Sequence, residues 1–293
     1  MYICKKNTTM ILICDCGSTK AGWGVLKFGA VVEKFVSEGF NPNFTDAKHI
    51  DTLICNILNN LDNQSVTDVY FYGAGCGNEL NRKKVKAIFK KHLPKAKINV
   101  YPDTLAACHA LFAHKPGIAC ILGTGSNACV YDGTNIVECA NSLGYMLGDE
   151  GGGCYIGKRL VHDYFLGLMP EHISVKFEQK YHLNRERFLK KVYQGEQPSR
   201  YLANFAKFTD DNLEDRYIRN LVGEAFDAYI ENYLMTRGTV VDGKVAGYEV
   251  AFVGSVGYRL QSILFQRLGD HGIQCVKIIK NPLDGLVRYY RSI

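Results

Sequence analysis

Two similar stretches of this 293-residue chain constrain its fold more than any other feature. The first, ILICDCGSTKAGWGVL at 11–26, is an apolar run followed by Gly17-Ser18 and a second apolar run. The second, GIACILGTGSNACVYDG at 117–133, places Gly125-Ser126 at the same point between two apolar runs. A strand, a glycine turn and a second strand, repeated in this way, predict two related halves that each begin with a β-meander.

The pattern between and after these stretches predicts mixed sheets flanked by helices. Strands are expected at 11–15, 21–27 and 30–37, a helix at 46–61 with Asp46 near its cap, and alternating strands and helices up to about Asp103. The second meander at 117–140 precedes a mostly helical stretch at 151–236 and two more strands. We therefore expect an α/β chain of two domains, 1–110 and 111–280. The second contains a helical insertion, and 281–293 is a candidate to complete the first.

Composition argues against several classes of protein. The chain is 47% hydrophobic and 22% charged with a formal net charge of +6, and it contains no apolar run of membrane-spanning length. The basic run 82–97 has a helical apolar face, which favours a solvated helix over a nucleic-acid site. Eleven cysteines are scattered without a CxxC pair, which is typical of small hydrophobic side chains in a reducing cytoplasm. We expect neither a nucleic-acid partner nor a membrane partner.

Four glycine-rich loops stand at the ends of predicted strands, at 15–20, 73–77, 123–127 and 254–257. Glycines allow the backbone to approach a phosphate, and N–H groups and hydroxyls then bind its oxygens. None of the loops matches the pattern GxxxxGK[ST], which argues against a P-loop enzyme. The two Gly-Ser loops predict a polyphosphate held from two sides, with Asp15 at Mg²⁺ and Lys20 near the phosphates.

The motifs DCGSTKAGW, ILGTGSN, GYMLGDEGGGCYIGKR and FVGSVG resemble the BadF/BadG/BcrA/BcrD ATPase family. Within it they are most similar to the N-acetylglucosamine kinase branch of the actin-like ATPase superfamily, over about residues 10–290. The resemblance implies two ribonuclease H-like domains, each a mixed five-stranded sheet flanked by helices, with a cleft between them. It also implies ATP and Mg²⁺, and phosphoryl transfer to a hydroxyl of an amino sugar such as N-acetylglucosamine.

The same resemblance assigns roles to individual residues. Asp103, in YPDTLAAC, would take the proton from the sugar hydroxyl, and Asp15 would bind Mg²⁺. The expected nucleotide contacts are Gly17, Ser18, Thr19, Lys20, Thr124, Gly125, Ser126, Gly254, Ser255 and Gly257. The expected substrate contacts are Asn41, Asn43, Gly75, Thr124, Gly125, Asp149 and Glu150, with Asn41 and Asn43 as alternatives for the acetamido group.

Some residues depart from the family pattern or allow another interpretation. Pro102 stands where the family usually has Asn, and Leu143 and Tyr145 stand where amino-sugar kinases often carry Trp, so the sugar stays open. By residue type alone, Asp103 could cap the helix that directly follows it. In the same way, Asp149 or Glu150 could cap the helix that begins in GGGCYIGKRLV.

Two further functions remain alternatives to the kinase. The first is an ATPase that activates a 2-hydroxyacyl-CoA dehydratase, in which a homodimer holds an iron–sulfur cluster, and Cys129 or Cys154 would be the candidate ligands. The second is a sugar-binding regulator on a kinase fold. The oligomeric state stays open, with a homodimer as one option.

Overall fold

The computed structural model describes residues 9–18, 20–61 and 65–291. These residues form two compact units, one made of the chain up to Ala113 and from Pro282 onward, the other of His114–Asn281. The first unit contains β1 (Met10–Cys16), β2 (Lys20–Lys27), β3 (Ala30–Glu38), α1 (Ala47–Asn59), β4 (Val66–Gly73), α2 (Glu79–His92), β5 (Lys97–Pro102) and α3 (Asp103–Phe112).

The second unit contains more strands and helices than the first, and the chain then returns to the first. Its strands are β6 (Gly117–Leu122), β7 (Ser126–Tyr131), β8 (Ile136–Cys139), β9 (Val240–Val241), β10 (Lys244–Val245), β11 (Val250–Val253) and β12 (Cys275–Ile279). Its helices are α4 (Gly144–Leu147), α5 (Gly153–Phe165), α6 (Glu171–Tyr181), α7 (Arg185–Gln194), α8 (Pro198–Ala203), α9 (Arg216–Tyr229), α10 (Ser255–Arg259) and α11 (Gln261–Asp270). The last helix, α12 (Leu283–Arg291), belongs to the first unit.

The two five-stranded sheets share one topology. In the first the strand order is β3-β2-β1-β4-β5, and in the second, written in the same sense, it is β8-β7-β6-β11-β12. The leading strand, β1 or β6, pairs antiparallel with the strand after it and parallel with the next strand inward. The predicted repeat and the mixed α/β architecture are therefore confirmed.

Successive side chains of β1 point to opposite faces of the first sheet, and the two faces contact different helices. Leu12, Cys14 and Cys16 point into a core that α1 and α2 complete. The intervening residues, Asp15 among them, belong to the opposite face, which α3 and α12 cover. On that face Gly22 and Gly24 of β2 leave room for side chains of α12. Asp15 therefore lies on the same side of the sheet as the start of α3.

The helical insertion predicted at 151–236 is also present. It comprises α5 to α9, whose apolar sides pack with β6, β7 and β11 into one core. Where α9 ends, the chain continues as a π-helical turn, Ile230–Leu234. No helix among the described residues is both long enough and apolar enough to cross a membrane.

Two cysteines depart from the expectation that all are unpaired. Cys129 of β7 and Cys139 of β8 are opposite each other in the antiparallel pair and form a disulfide, with their Cα atoms 4.1 Å apart. This pair could not be predicted from the spacing of the cysteines, because the register of two adjacent strands sets it. The other eight cysteines of the described residues take part in no disulfide.

Candidate functional site

The strand ends of the first unit bring two predicted loops and the start of a helix to one edge of its sheet. Strands β1, β4 and β5 are parallel, and the register aligns Cys16 with Gly73 and Gly73 with Pro102. The loop after β1, the loop 73–77 and the start of α3 therefore lie side by side at the carboxyl ends of the strands. In open α/β sheets this edge is where ligands bind.

Two carboxyl groups meet at this edge. Asp15, at the end of β1, has a pKa raised to about 7, first because it is buried and second because Asp103 carries a like charge. Burial also raises the pKa of Asp103 to about 6, against the lowering effect of the N–H groups of Thr104 and of Asp103 itself. Among the described residues, no hydrogen-bond donor contacts the Asp15 carboxylate. The pair is thus costly to keep ionised, and a cation or a proton would relieve that cost.

The local structure at Asp103 corrects the capping interpretation. Helix α3 takes Pro102 as its N-cap, and Asp103 is its first helical residue. The Thr104 N–H donates to Asp103 Oδ1 at 3.0 Å, so the side chain binds its immediate neighbour and not the later N–H groups that an N-cap residue binds. The proline is extended, with φ −69° and ψ 153°, which directs the chain into the helix at Asp103.

The loop between β1 and β2 is a tight, exposed turn. The Gly17 N–H donates to the Lys20 carbonyl at 3.0 Å, and Gly17, Ser18 and Lys20 are all exposed to solvent. The predicted contact at Thr19 lies outside the described residues. The exposed N–H and hydroxyl groups are of the kind that binds phosphate oxygens, and these assignments stay predictions.

The three predicted sugar contacts of the first unit lie together. Gly75 has φ +77°, and a Cβ there would lie 2.1 Å from Asn41 Oδ1, so this loop needs a glycine against the amide. Asn41 Oδ1 accepts from the Asn43 N–H at 3.0 Å. Asn81 of α2, which was not predicted, donates from Nδ2 to Asn43 Oδ1 at 2.6 Å and to the Gly75 carbonyl at 2.8 Å. The structure does not choose between Asn41 and Asn43.

In the second unit three loops converge in the same way. Strands β6 and β11 are parallel, and the loops that follow them, 123–125 and 254–257, share one edge. Gly254 has φ +135°, and a Cβ there would lie 2.2 Å from the Leu122 carbonyl oxygen. The start of α5 joins them, because the Gly153 and Cys154 N–H groups donate to the carbonyls of Gly123 and Thr124, both at 2.8 Å.

Asp149 is held in a strained position against the GTGSN loop. Its φ is +60°, which few residues other than glycine, Asn or Asp adopt. Its Oδ1 accepts from the Ser126 N–H and the Ser142 hydroxyl, both at 3.3 Å. A Cβ on Gly125 would lie 2.6 Å from Asp149 Oδ2, so the two predicted substrate residues are in contact. Burial raises the pKa of Asp149, and the two hydrogen bonds oppose that rise.

The carboxylate of Glu150 is held by two residues that the sequence analysis missed. Tyr233 OH donates to Oε2 at 3.0 Å, and Asn232 Nδ2 donates to Oε1 at 3.3 Å. Both belong to the π-helical turn after α9, and π-helical turns occur frequently at functional sites. Helix α5 takes Gly152 as its N-cap, and the side chains of Asp149 and Glu150 bind elsewhere. Capping is therefore excluded as their role.

The predicted residues differ in how far they are exposed. Thr124 is exposed at the tip of its loop, whereas Ser126 is 6% exposed and begins β7. Gly257 is buried against the Leu122 side chain. Within the described part of the chain, no group of three or more His, Cys, Asp or Glu side chains is arranged to hold a metal ion. A metal here would need ligands from a bound phosphate in addition to the carboxylates.

One solved structure decides the family. It is a "putative N-acetylglucosamine kinase" from Porphyromonas gingivalis, 33% identical to this chain with a TM-score of 0.89, and the match covers 96% of this chain and 99% of that one. The chain belongs to the family of this N-acetylglucosamine kinase-like protein. The resemblance to the N-acetylglucosamine kinase branch, drawn from the four motifs, is thereby confirmed.

More distant structures share the fold of this N-acetylglucosamine kinase-like protein. A second protein of the same description, from Chromobacterium violaceum, is 14% identical with a TM-score of 0.65, covering 97% and 99% of the two chains. A ROK hexokinase from Thermus thermophilus is 12% identical with a TM-score of 0.51, covering 96% and 98%. No protein-family model and no curated protein gave a match.

Proposed function

We propose that this protein is an ATP-dependent kinase that transfers a phosphoryl group to a hydroxyl of an amino sugar such as N-acetylglucosamine. The observation that carries the proposal is the pair Asp15 and Asp103, two partly buried carboxyl groups at the strand ends of the first unit with pKa values raised to about 7 and about 6. Phosphoryl transfer needs a metal ligand and an oriented acceptor hydroxyl at one place. The family likeness supports the same reaction class.

Asp103 is suited to the role of base. A general base works best when its pKa lies near the operating pH, and a value of about 6 is closer to neutrality than that of an ordinary aspartate. Its second carboxylate oxygen, Oδ2, is not the atom that the Thr104 N–H contacts. That oxygen would accept the hydrogen of the sugar hydroxyl and orient the hydroxyl oxygen for attack.

Asp15 is the residue that would hold Mg²⁺. Magnesium is bound through one or two carboxylates plus substrate phosphates. Asp15 is partly buried, accepts no hydrogen bond from the described residues and lies near Asp103, so it fits that donor set. When bound, the metal would neutralise charge on the phosphates. The loop from Gly17 to Lys20 would bind phosphate oxygens from the first unit, and the 123–126 and 254–257 loops would bind nucleotide from the second.

We also propose that the two compact units are two domains.

The sugar would be recognised by carboxylate and amide side chains. Asp149, fixed by Ser126 and Ser142, offers its Oδ2 oxygen to a sugar hydroxyl, and the Asn41–Asn43 pair offers amides for the acetamido group. The iron–sulfur alternative loses support, because Cys129 is paired with Cys139 and Cys154 is fully buried. Location in the cytoplasm and a homodimer stay predictions.

The function is tested by incubating the protein with Mg-ATP and a panel of amino sugars and analysing products by mass spectrometry. We expect a phosphorylated amino sugar and ADP in equal amounts. ATP hydrolysis that does not depend on sugar and gives no phosphosugar would contradict the proposal and favour a partner-driving ATPase. Sugar binding without turnover would favour the regulator.

A further inference from the structure

A cavity lies beside the loop that carries Asp149, and apart from the predicted substrate contact at Glu150 none of the roles assigned above uses its lining. It has a volume of about 330 Å³ and is lined by residues of the second unit. Gly148 and Glu150, the two neighbours of Asp149 in the chain, form one side of it. A group bound to Asp149 would therefore be adjacent to the cavity. Its volume lies in the range of small-molecule sites.

The polar wall of the cavity is built around Glu150. Asn232 and Tyr233 each donate one hydrogen bond to a different oxygen of this carboxylate, at 3.3 and 3.0 Å. The two donors are consecutive residues of the π-helical turn Ile230–Leu234, and both reach the same carboxylate. Each carboxylate oxygen keeps a lone pair that can accept from a ligand hydroxyl.

Part of the lining is apolar and exposed to water. Leu143, just before the short helix α4, and Leu147, at its end, are 66% and 75% exposed and line the cavity. A lining that combines apolar side chains with hydrogen-bond acceptors is complementary to a sugar ring, which has C–H faces and hydroxyls around its rim. A purely aliphatic group would leave the polar wall unpaired.

The charge of the lining favours a neutral ligand over an anion. Glu138 and Glu150 both line the cavity, and Arg237 is its one cation. The Arg237 side chain is 4% exposed and is already paired with Glu138. The remaining charge is that of Glu150, which would repel a carboxylate or phosphate on the ligand.

We propose that this cavity is a subsite for a second sugar ring, joined to the amino sugar that Asp149 binds. The inference rests on the proposed kinase function and extends its substrates to neutral disaccharides of amino sugars. The first ring would contact Asp149, and the second would place hydroxyls at Glu150 and a C–H face on Leu143 and Leu147.

The test compares kcat/KM for N-acetylglucosamine and for di-N-acetylchitobiose in the wild type and in Leu147→Trp, which fills the cavity. The wild type should phosphorylate both sugars. In Leu147→Trp the disaccharide value should fall by about tenfold or more, because the indole occupies the place of the second ring, while the monosaccharide value should stay within about twofold. Leu166→Trp is the matched control, since Leu166 is 62% exposed and lies outside the cavity, and it should change neither value.

A second filling variant, Thr236→Trp, places an indole at another lining position and should repeat the result. Retained monosaccharide activity shows that each variant is folded. If the wild type phosphorylates N-acetylglucosamine but not the disaccharide, or if both filled variants keep full disaccharide activity, the subsite is wrong and the kinase function stands. If N-acetylmuramic acid, and not the disaccharide, is the sugar lost on filling, the subsite takes an anion and the inference is overturned. If no amino sugar of the panel is phosphorylated, the kinase function itself fails, and the subsite with it.

Discussion

The acidic side chains at the strand ends of the two units are held in opposite ways. In the first unit Asp15 and Asp103 are near each other, and burial raises both pKa values. In the second unit Asp149 is bound by Ser126 and Ser142, and Glu150 is bound by Asn232 and Tyr233. The negative charges of Asp15 and Asp103 are therefore poorly compensated, whereas the carboxylates of Asp149 and Glu150 are held by neutral hydrogen-bond donors.

This difference suggests that the carboxylates of the first unit take part in phosphoryl transfer and that those of the second unit bind the sugar. A carboxylate that is costly to ionise gains most from a metal ion or a proton, and such groups cluster at catalytic sites. A carboxylate fixed by hydrogen bonds keeps its orientation and can select a ligand hydroxyl. We therefore expect substitutions in the first unit to lower kcat and substitutions in the second to raise the KM for sugar.

Among these substitutions, Asp15→Asn is expected to lower kcat strongly. An amide of the same shape should leave the fold intact but neutralise phosphoryl charge less well, and kcat with Mg-ATP should fall by about 100-fold or more. Steady-state kinetics across a magnesium titration measures this. Unchanged turnover at every magnesium concentration would place the metal elsewhere and remove the chemical role of the first pair.

Asp149→Asn should act on affinity. Asn accepts the same N–H and hydroxyl donors and tolerates a φ of +60°, so the loop should keep its shape. The lost charge weakens a hydrogen bond to the sugar, and the KM for sugar should rise about 10- to 100-fold with a smaller change in kcat. If kcat falls instead and KM holds, Asp149 belongs with the chemical carboxylates and the comparison fails.

The pH dependence follows from the first pair. Asp103 must be ionised to act as base, and its pKa is raised to about 6, so kcat/KM should fall by about tenfold per unit below that pH. The proton also competes with Mg²⁺ at Asp15, whose pKa is raised to about 7, and more magnesium should be needed as the pH falls. A rate profile that is flat from pH 7.5 to pH 5 at saturating magnesium would contradict these assignments.

The smallest expected effect concerns stability. A carboxyl group whose pKa is raised by folding binds its proton more tightly in the folded state, so stability declines as the pH rises from about 4 through about 6. From the sequence alone, Asp103→Asn should change stability little, because Asn also caps helices. The structure indicates instead a rise in Tm of a few degrees at pH 7.5 that vanishes near pH 4. Thermal melts at the two pH values measure it, and a lower Tm at pH 7.5 would contradict the burial argument.

Local pattern was enough to predict much of this molecule. The strand, glycine and strand repeat gave both meanders, and Asp46 caps α1 as expected, with its side chain accepting from the Lys48 and His49 N–H groups. The glycines at 75 and 254 were predicted as loop positions, and the structure supplies the reason, since each lies against a neighbouring oxygen. These features depend on residues close in sequence or on backbone conformation.

The missed residues depend on contacts across the chain. Tyr233 is 83 positions from Glu150, and the helical pattern around it resembles an ordinary buried face. Asn81 contacts Asn43 from another element, and Cys129 finds Cys139 through strand register. Such partners follow from tertiary packing, which spacing along one sequence does not encode locally.

The most direct test of the account is the rate of amino-sugar phosphorylation by Asp103→Asn at saturating Mg-ATP and sugar, measured beside the ATP affinity of the same variant. The account predicts that the rate falls about 10²- to 10⁴-fold, the usual contribution of a general base, while ATP affinity holds. A variant that phosphorylates the sugar at the wild-type rate would remove Asp103 from the chemistry and contradict the division between the two pairs of carboxylates.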